Sequence, residues 1–419
     1  MGRWNRRDVL RAGAGCAAAA LARGPFFHVR KPPLLRVLGT HVTLREDVRQ
    51  QAERDLGIRL EFRPGGDAAI LQAASTRPES FDIFEQWSNS IRVLWQAKAI
   101  RGIDTGRIEL WDEVNDVAKR GRLHSEASYG RGDAPNLLLH VQPDGRLGSS
   151  PSDEVSFVPY AHNVDSFGYR ADCMPAAEPY VDESWSWLLD ERFHGRVALA
   201  NEPTIGLFDA ALACEAAGLM QFDDIGAMTR QEVDQLFDVL VEKKRQGHFY
   251  GAWRSVPQSV EYMADGRVVI ESMFSPAAAE LGANGVPVNY AAPREGYRAW
   301  HGVMCLSSQV REETLDAAYA FMNWWLSGWP GALIARQGYY ISTPERARAH
   351  LHADEWDYWY EGQPARRDLP GPDGRVVVRK GQSRRGGSYR QRFSKVAVWN
   401  TVMATYEYTL LRWSEFLSA

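Results

Sequence analysis

"RVALANEPTIGLFDAALACEAAG", residues 196–218, decides the fold class. The apolar centre of its first six residues is too short for a helix and reads as a strand buried on both faces. Glu202 and Pro203 then open a helix over 202–218 that stops at Gly218. Proline suits the first turn because its missing N–H is one of the unpaired donors there. A buried strand feeding directly into a helix is the repeating unit of a parallel α/β sheet.

The same unit recurs on both sides. Toward the N-terminus, "LLRVLGT" (34–40), "IRLEFRPG" (58–65) and "FDIFEQ" (81–86) read as strands. They alternate with helices over "REDVRQQAERDLG" (45–57), "DAAILQAAS" (67–75) and "IRVLWQAKA" (91–99). In the middle, "EVSFVPYAHN" (154–163) and "SFGYR" (166–170) read as two strands, and "ESWSWLLDERFHG" (183–195) as a helix closed by glycine. "TRQEVDQLFDVLVEKKRQG" (229–247) has strong helical periodicity. Further on, "GRVVIESMF", "VPVNYAAP" and "WHGVMCLSS" read as strands, and "SPAAAELGANG" and "REETLDAAYAFMNWWLSG" as helices. The stretch from Lys395 to Leu417 reads as helical.

The start of the chain reads as an address. Arg3, Arg6, Arg7 and Arg11 precede a small apolar run from Ala12 to Ala22, which ends in an Ala20-Leu21-Ala22 cleavage pattern. The paired Arg6-Arg7 resembles the twin-arginine type, giving residues 1–22 as a signal peptide and the periplasm as destination. The run is about half of the ~20 residues a membrane span needs. Glycines and alanine before Cys16 argue against lipid attachment there.

Composition is that of an ordinary globular protein: 419 residues, 45% hydrophobic, 24% charged, net charge −4. The length allows two lobes, each with its own core. Loss of the leader makes the chain more acidic still, which argues against nucleic acid as a partner. Cys173, Cys214 and Cys305 make no disulfide scaffold; Cys173 and Cys214 are left either paired or as buried free thiols. Aromatics are abundant, with 15 tryptophans and 16 tyrosines. Trp87, Trp253, Trp300 and Tyr339 sit beside turn residues, where aromatic rings can line a ligand cleft.

Catalytic and cofactor motifs are missing. The sequence has no zinc-protease pair and no phosphate-binding loop, and "GQSRRGG" misses nucleophile-elbow spacing by one residue. His350, His352 and Asp354 form a weak metal pattern in a charged segment. The reading is therefore of a protein that is not an enzyme and needs no cofactor or metal. The alternatives are an exported α/β-fold hydrolase or transferase, and ferric-ion capture by Tyr339-Tyr340.

Five stretches in order carry a family resemblance: "FDIFEQWSNSIRVLWQAKAIRGID", "VSFVPYAHNVDSFGYR", "ESWSWLLDERFHGRVALANEP", "APREGYRAWHGVMCLSS" and "AAYAFMNWWLSGWPGALIARQGYYISTP". Together they resemble the spermidine/putrescine-binding proteins of bacterial ABC importers, over roughly residues 34–345. The resemblance implies a two-lobed α/β periplasmic binding protein type II fold with interlobe crossover strands. It divides the chain into lobe one (34–160 and 303–345), lobe two (161–302) and a C-terminal extension (346–419) packing mainly on lobe two. It also implies a monomer that captures a small solute for a membrane ABC permease.

The resemblance places Thr40, Trp87, Asn89, Ser255, Phe274, Trp300 and Tyr339 at ligand positions. Two family acids are replaced here, by Gly206 and Gly302. Glu202 is the favoured substitute anchor, ahead of Glu85, Asp165 and Glu271. An aromatic box with one acid favours a small organic amine or quaternary ammonium over a long polyamine. The basic run Arg375, Arg379, Lys380, Arg384 and Arg385 reads either as a mobile solvated loop or as a surface for the permease.

Replacing Arg6 and Arg7 by lysine keeps the charge and is expected to stop export. Cell fractionation checks this; unchanged accumulation outside the cytoplasm would refute the twin-arginine reading.

Overall fold

Two long strands, Val158–Arg170 and Tyr297–Ser307, run buried through the middle of the molecule. They pair antiparallel from Arg298 opposite Asp165 to Met304 opposite Val158. On one side Ile83–Trp87 adds antiparallel to residues 302–306, followed by the parallel strands Leu34–Thr40 and Arg59–Gly65. On the other side Ile270–Met273 adds antiparallel to residues 166–169, followed by the parallel strands Val197–Ala200 and Phe249–Trp253. Each half thus has three parallel strands, and the two long strands belong to both halves. The computed structural model describes residues 32–174 and 176–419, so the twin-arginine leader and Cys16 lie outside the described residues. No described helix is long and apolar enough to cross a membrane.

Each half buries its own apolar face. In the first, Leu35, Val37 and Ile83 pack against Phe321, Met322 and Trp325 of helix Glu312–Leu326. In the second, Val197, Leu199 and Ile270 pack with Phe208, Leu236 and Phe237. Local signals set the helix ends. Gly57 stops its helix in a left-handed conformation at φ 63°. Thr229 and Glu232 form a reciprocal capping box, with the Thr229 N–H donating to Glu232 at 2.7 Å.

The structure departs from the sequence reading at four places. Residues 158–170 form one strand, not two. Asp165 stays inside it because Trp300 Nε1, the Tyr290 hydroxyl and Asn163 Nδ2 all donate to its carboxylate, at 2.7, 2.9 and 2.8 Å. Residues 183–195 form two short 3₁₀ turns, Trp185–Leu189 and Glu191–Phe193, instead of a helix. Ser184 and Asp190 each capture a backbone N–H two residues on, which restarts the chain. The helix after "VALAN" begins at Gly206, so Glu202 and Pro203 lie in the preceding turn. Val396–Trp399 is a strand beside Tyr297–Ala299, and only Tyr406–Ser418 of that region is α-helix.

Residues 346–419 reach both halves. Trp356, Tyr360 and Tyr389 cluster with Tyr340 and Ala335, while Trp413 and Phe416 join the core of the second half. The basic run is not a free loop. Arg375 pairs with Asp373, Arg379 with Asp368 and Arg385 with Glu183, and Arg384 turns inward. All three described cysteines are free; Cys214 and Cys305 are buried, whereas Cys173 is exposed.

One ion pair ties these parts together. Arg298, on the second long strand, is fully buried. Its Nε donates to Asp209 at 2.6 Å and its Nη1 to Asn400 at 3.2 Å, while Nη2 lies 3.9 Å from Asp165. Removing one partner of a buried pair leaves a charge stranded, at a cost of about 3–5 kcal/mol. Asp209→Ala is therefore expected to lower the melting temperature sharply, with loss of most soluble folded protein at physiological temperature. Thermal unfolding followed by circular dichroism checks this.

Candidate ligand-binding cleft

Strand order reverses at Leu34–Thr40 in the first half and at Val197–Ala200 in the second, each having a parallel neighbour on both sides. Crevices beyond the carboxyl ends of strands at such points are where open α/β sheets hold ligands. A cavity of about 580 Å³ lies there, inside the ~300–1,000 Å³ range of small-molecule sites. Strand ends from both halves meet in it. Thr40, Asp67 and Trp87 come from the first, and Glu202, Ser255 and Phe274 from the second.

Aromatic rings form the walls in two groups. Trp87, Trp300 and Tyr339 pack edge to face, with centroids 4.4 and 5.0 Å apart. Trp253 and Phe274 meet at 4.9 Å across the cavity's other side. Each indole N–H is used to orient its ring: Trp87 donates to Asp67 at 3.0 Å, Trp300 to Asp165 at 2.7 Å and Trp253 to the Ser272 carbonyl at 2.9 Å. Between Trp87, Phe274, Trp300 and Tyr339 only about 10 Å³ stays open.

Two carboxylates face the cavity without a cationic partner. Asp67 opens the helix Asp67–Thr76, where an acid also suits the helix dipole. Glu202 lies in the turn after Val197–Ala200, and its Oε1 is buried with no hydrogen-bond partner. Burial raises both groups above the ordinary carboxylate range, and the charge of Asp67 raises Glu202 further. Beneath them Glu85, fully buried, is pushed up to about 8, chiefly by burial. Arg45, at the rim, is already held by Asp47 at 2.8 Å.

The residues singled out in the sequence distribute as follows. Thr40, Trp87, Glu202, Ser255 and Phe274 line the 580 Å³ cavity. Trp300 and Tyr339 lie beside it in the aromatic cluster, buried with Trp87 in the core of the first half. Asn89 is buried in a 3₁₀ turn and lines neither space. Ser255 spends its hydroxyl oxygen capping the next helix, accepting from Gln258 N–H at 3.3 Å. Of the other acids, Asp165 holds Trp300, while Glu271 is buried against the Ser259 hydroxyl. Asp67 was missed. An acid following Gly65-Gly66 directly after a strand was the available signal.

The two glycines have a steric explanation. A Cβ on Gly206 would lie 2.0 Å from the Ala200 carbonyl and 2.8 Å from the Trp413 ring, so a side chain there has no room. Gly302 is less crowded, with its nearest neighbours at 3.1 and 3.2 Å. The ferric-ion pattern separates in space: Tyr339 packs on Trp300, whereas Tyr340 packs on Tyr389 and Tyr360. His352 serves as a helix cap, accepting from the Asp354 N–H.

The model of the bacterial extracellular solute-binding protein family matches residues 50–358. No curated protein sequence matches the chain significantly. Among solved structures, the Tp0655 (TpPotD) lipoprotein of Treponema pallidum superposes with a TM-score of 0.65 at 13% identity, covering 92% of this chain and 100% of that one. The spermidine/putrescine ABC transporter substrate-binding protein PotD of Streptococcus pneumoniae gives 0.58 at 14% identity, covering 92% and 99%. AgtB of A. tumefaciens, solved with agropinic acid, gives 0.55 at 13%, covering 92% and 99%. These likenesses show the fold: two α/β lobes joined by crossover strands, the type II binding-protein arrangement.

A carboxyl raised by burial holds its proton in the folded protein after the unfolded chain has lost it. Its contribution to stability is therefore present at low pH and is lost as pH rises from the unfolded value toward the raised one. Glu202→Gln removes one such group from the cleft. Its melting temperature is expected to fall less than the parent's between about pH 5 and pH 8. Parallel pH curves for the two proteins would show that Glu202 is not raised.

Proposed function

The chain belongs to the bacterial extracellular solute-binding family, and from that premise we propose that it captures a small organic amine for an ABC importer. Members of this family are binding proteins, not enzymes. In this reading the protein works as a monomer in the periplasm and hands its ligand to a membrane permease.

The observation that carries the ligand class is Glu202, which lines the cavity together with Asp67 and has a buried Oε1 without a hydrogen-bond partner. A buried acceptor without a donor is costly, and an ammonium group supplies the donor and the charge together. This favours a primary or secondary amine over a quaternary ammonium, which has no N–H. The aromatic walls support the same class, since each ring face attracts a cation by about 0.5–2 kcal/mol when water is excluded. Asp67 belongs to the first half and Glu202 to the second. An ammonium touching both is bound better when the lobes are together, and this differential affinity drives cleft closure.

Thermal-shift screening of amines, amino acids, opines and sugars identifies the ligand class, because a ligand of the folded state raises the melting temperature. Calorimetry then compares the parent with Glu202→Gln and Asp67→Asn. Losing one charge-assisted hydrogen bond, about 1.5–3 kcal/mol, corresponds to roughly 10–100-fold weaker binding. A parent that binds only anions or neutral sugars overturns the amine reading.

A further inference from the structure

Helix Ser275–Ala283 has a cavity on each side. Pro276 and Glu280 line the cleft, while Ser275, Ala279 and Gly282 line a second space of about 480 Å³. The far wall of that space comes from residues 358–392 and includes Arg379, Arg384, Arg385 and Arg392. No aspartate or glutamate is among the lining residues.

Two of the four arginines are matched by acids elsewhere, Arg379 by Asp368 at 3.2 Å and Arg385 by Glu183 at 2.7 Å. The other two bond only neutral oxygens among the described residues. Arg384 donates to the carbonyls of Trp359 and Gly338, at 2.7 and 2.8 Å, and to the Tyr340 hydroxyl. Arg392 donates to the carbonyls of Arg385 and Val164, at 2.9 and 3.2 Å, and to the Tyr297 hydroxyl at 3.4 Å. Arg392 is wholly buried, and its Nε has no partner. The Tyr297 ring, 4.8 Å from the guanidinium centre, covers a face of the group but accepts nothing from that N–H. Buried cations are normally paired. Guanidinium forks lining a void match the geometry of an oxyanion, which accepts several N–H bonds at once.

We propose that this cavity is a binding site for a small multivalent oxyanion, held by Arg384 with the Ser275 and Ser383 hydroxyls as further donors and the unpaired charge of buried Arg392 behind it. The site lies on the opposite side of the helix from the amine cleft and takes the opposite charge.

The test uses the full chain, with inorganic phosphate and citrate as probes and chloride at equal ionic strength as reference. Phosphate or citrate is expected to raise the parent's melting temperature by about 2–4 °C above chloride. Arg384→Gln and Ala279→Trp should each remove most of that rise, the second by filling the space without changing a charge. Glu202→Gln, in the other cavity, should keep it. A response to either probe that follows this pattern supports the site. No rise above chloride, or an equal rise in the Ala279→Trp protein, overturns it.

Discussion

The cleft depends on keeping one guanidinium away from water in a fixed place. Arg298 and Asp165 face each other across the two long strands, and both are buried. Burial pushes Asp209 up to about 6 although Arg298 opposes the shift, so at neutral pH the pair is ionised but gains little over its hydrated state. Its value is positional. Slipping either long strand by one residue would turn Arg298 or Asp165 to the other face of the sheet and strand a charge. The same Asp165 carboxylate holds the Trp300 indole, so strand register and the orientation of the aromatic wall are fixed together.

Satisfied polar groups are the rule in protein interiors, and exceptions tend to collect where function does. Here several gather around the strand ends. Glu85 Oε1, Asn89 Oδ1, Glu202 Oε1 and Thr204 Oγ1 are all buried and unpartnered. The Arg298 network is mixed: Asp165 receives three donors, while Asp209 Oδ2, Arg298 Nη2 and Asn163 Oδ1 are also buried without a partner.

Much of the fold was legible because buried parallel strands announce themselves as short apolar runs. "VALA" at 197–200 and "IESM" at 270–273 are strands as read. Patterns that depend on distant partners were not legible. Val396–Trp399 is a strand only because Tyr297–Ala299 offers an edge roughly a hundred residues earlier in the chain. The 183–195 segment has helical periodicity, but local side-chain bonds to the backbone outcompete the helix. In the site, residues next to strand ends could be found because topology puts strand ends at the cleft. Asp67 escaped because an acid at a helix start has an ordinary explanation in the dipole. That Gly206 is walled in by Trp413 could not be seen from either residue's neighbours in sequence.

The seat of Trp413 against Gly206 also bears on how the molecule is assembled. The Trp413 ring packs beside Phe237, and its Nε1 donates to Asn201 at 3.0 Å, just past the strand Val197–Ala200. The second lobe is thus finished by a segment that emerges from the ribosome some two hundred residues after its first strand. Domains usually fold as units in the order of synthesis. This one has to wait with an open flank of apolar surface, and closing so long a loop is entropically slow. Nascent chains of this protein would pass through a stage with one lobe formed and the other incomplete, the stage at which chaperones and proteases have most to recognise.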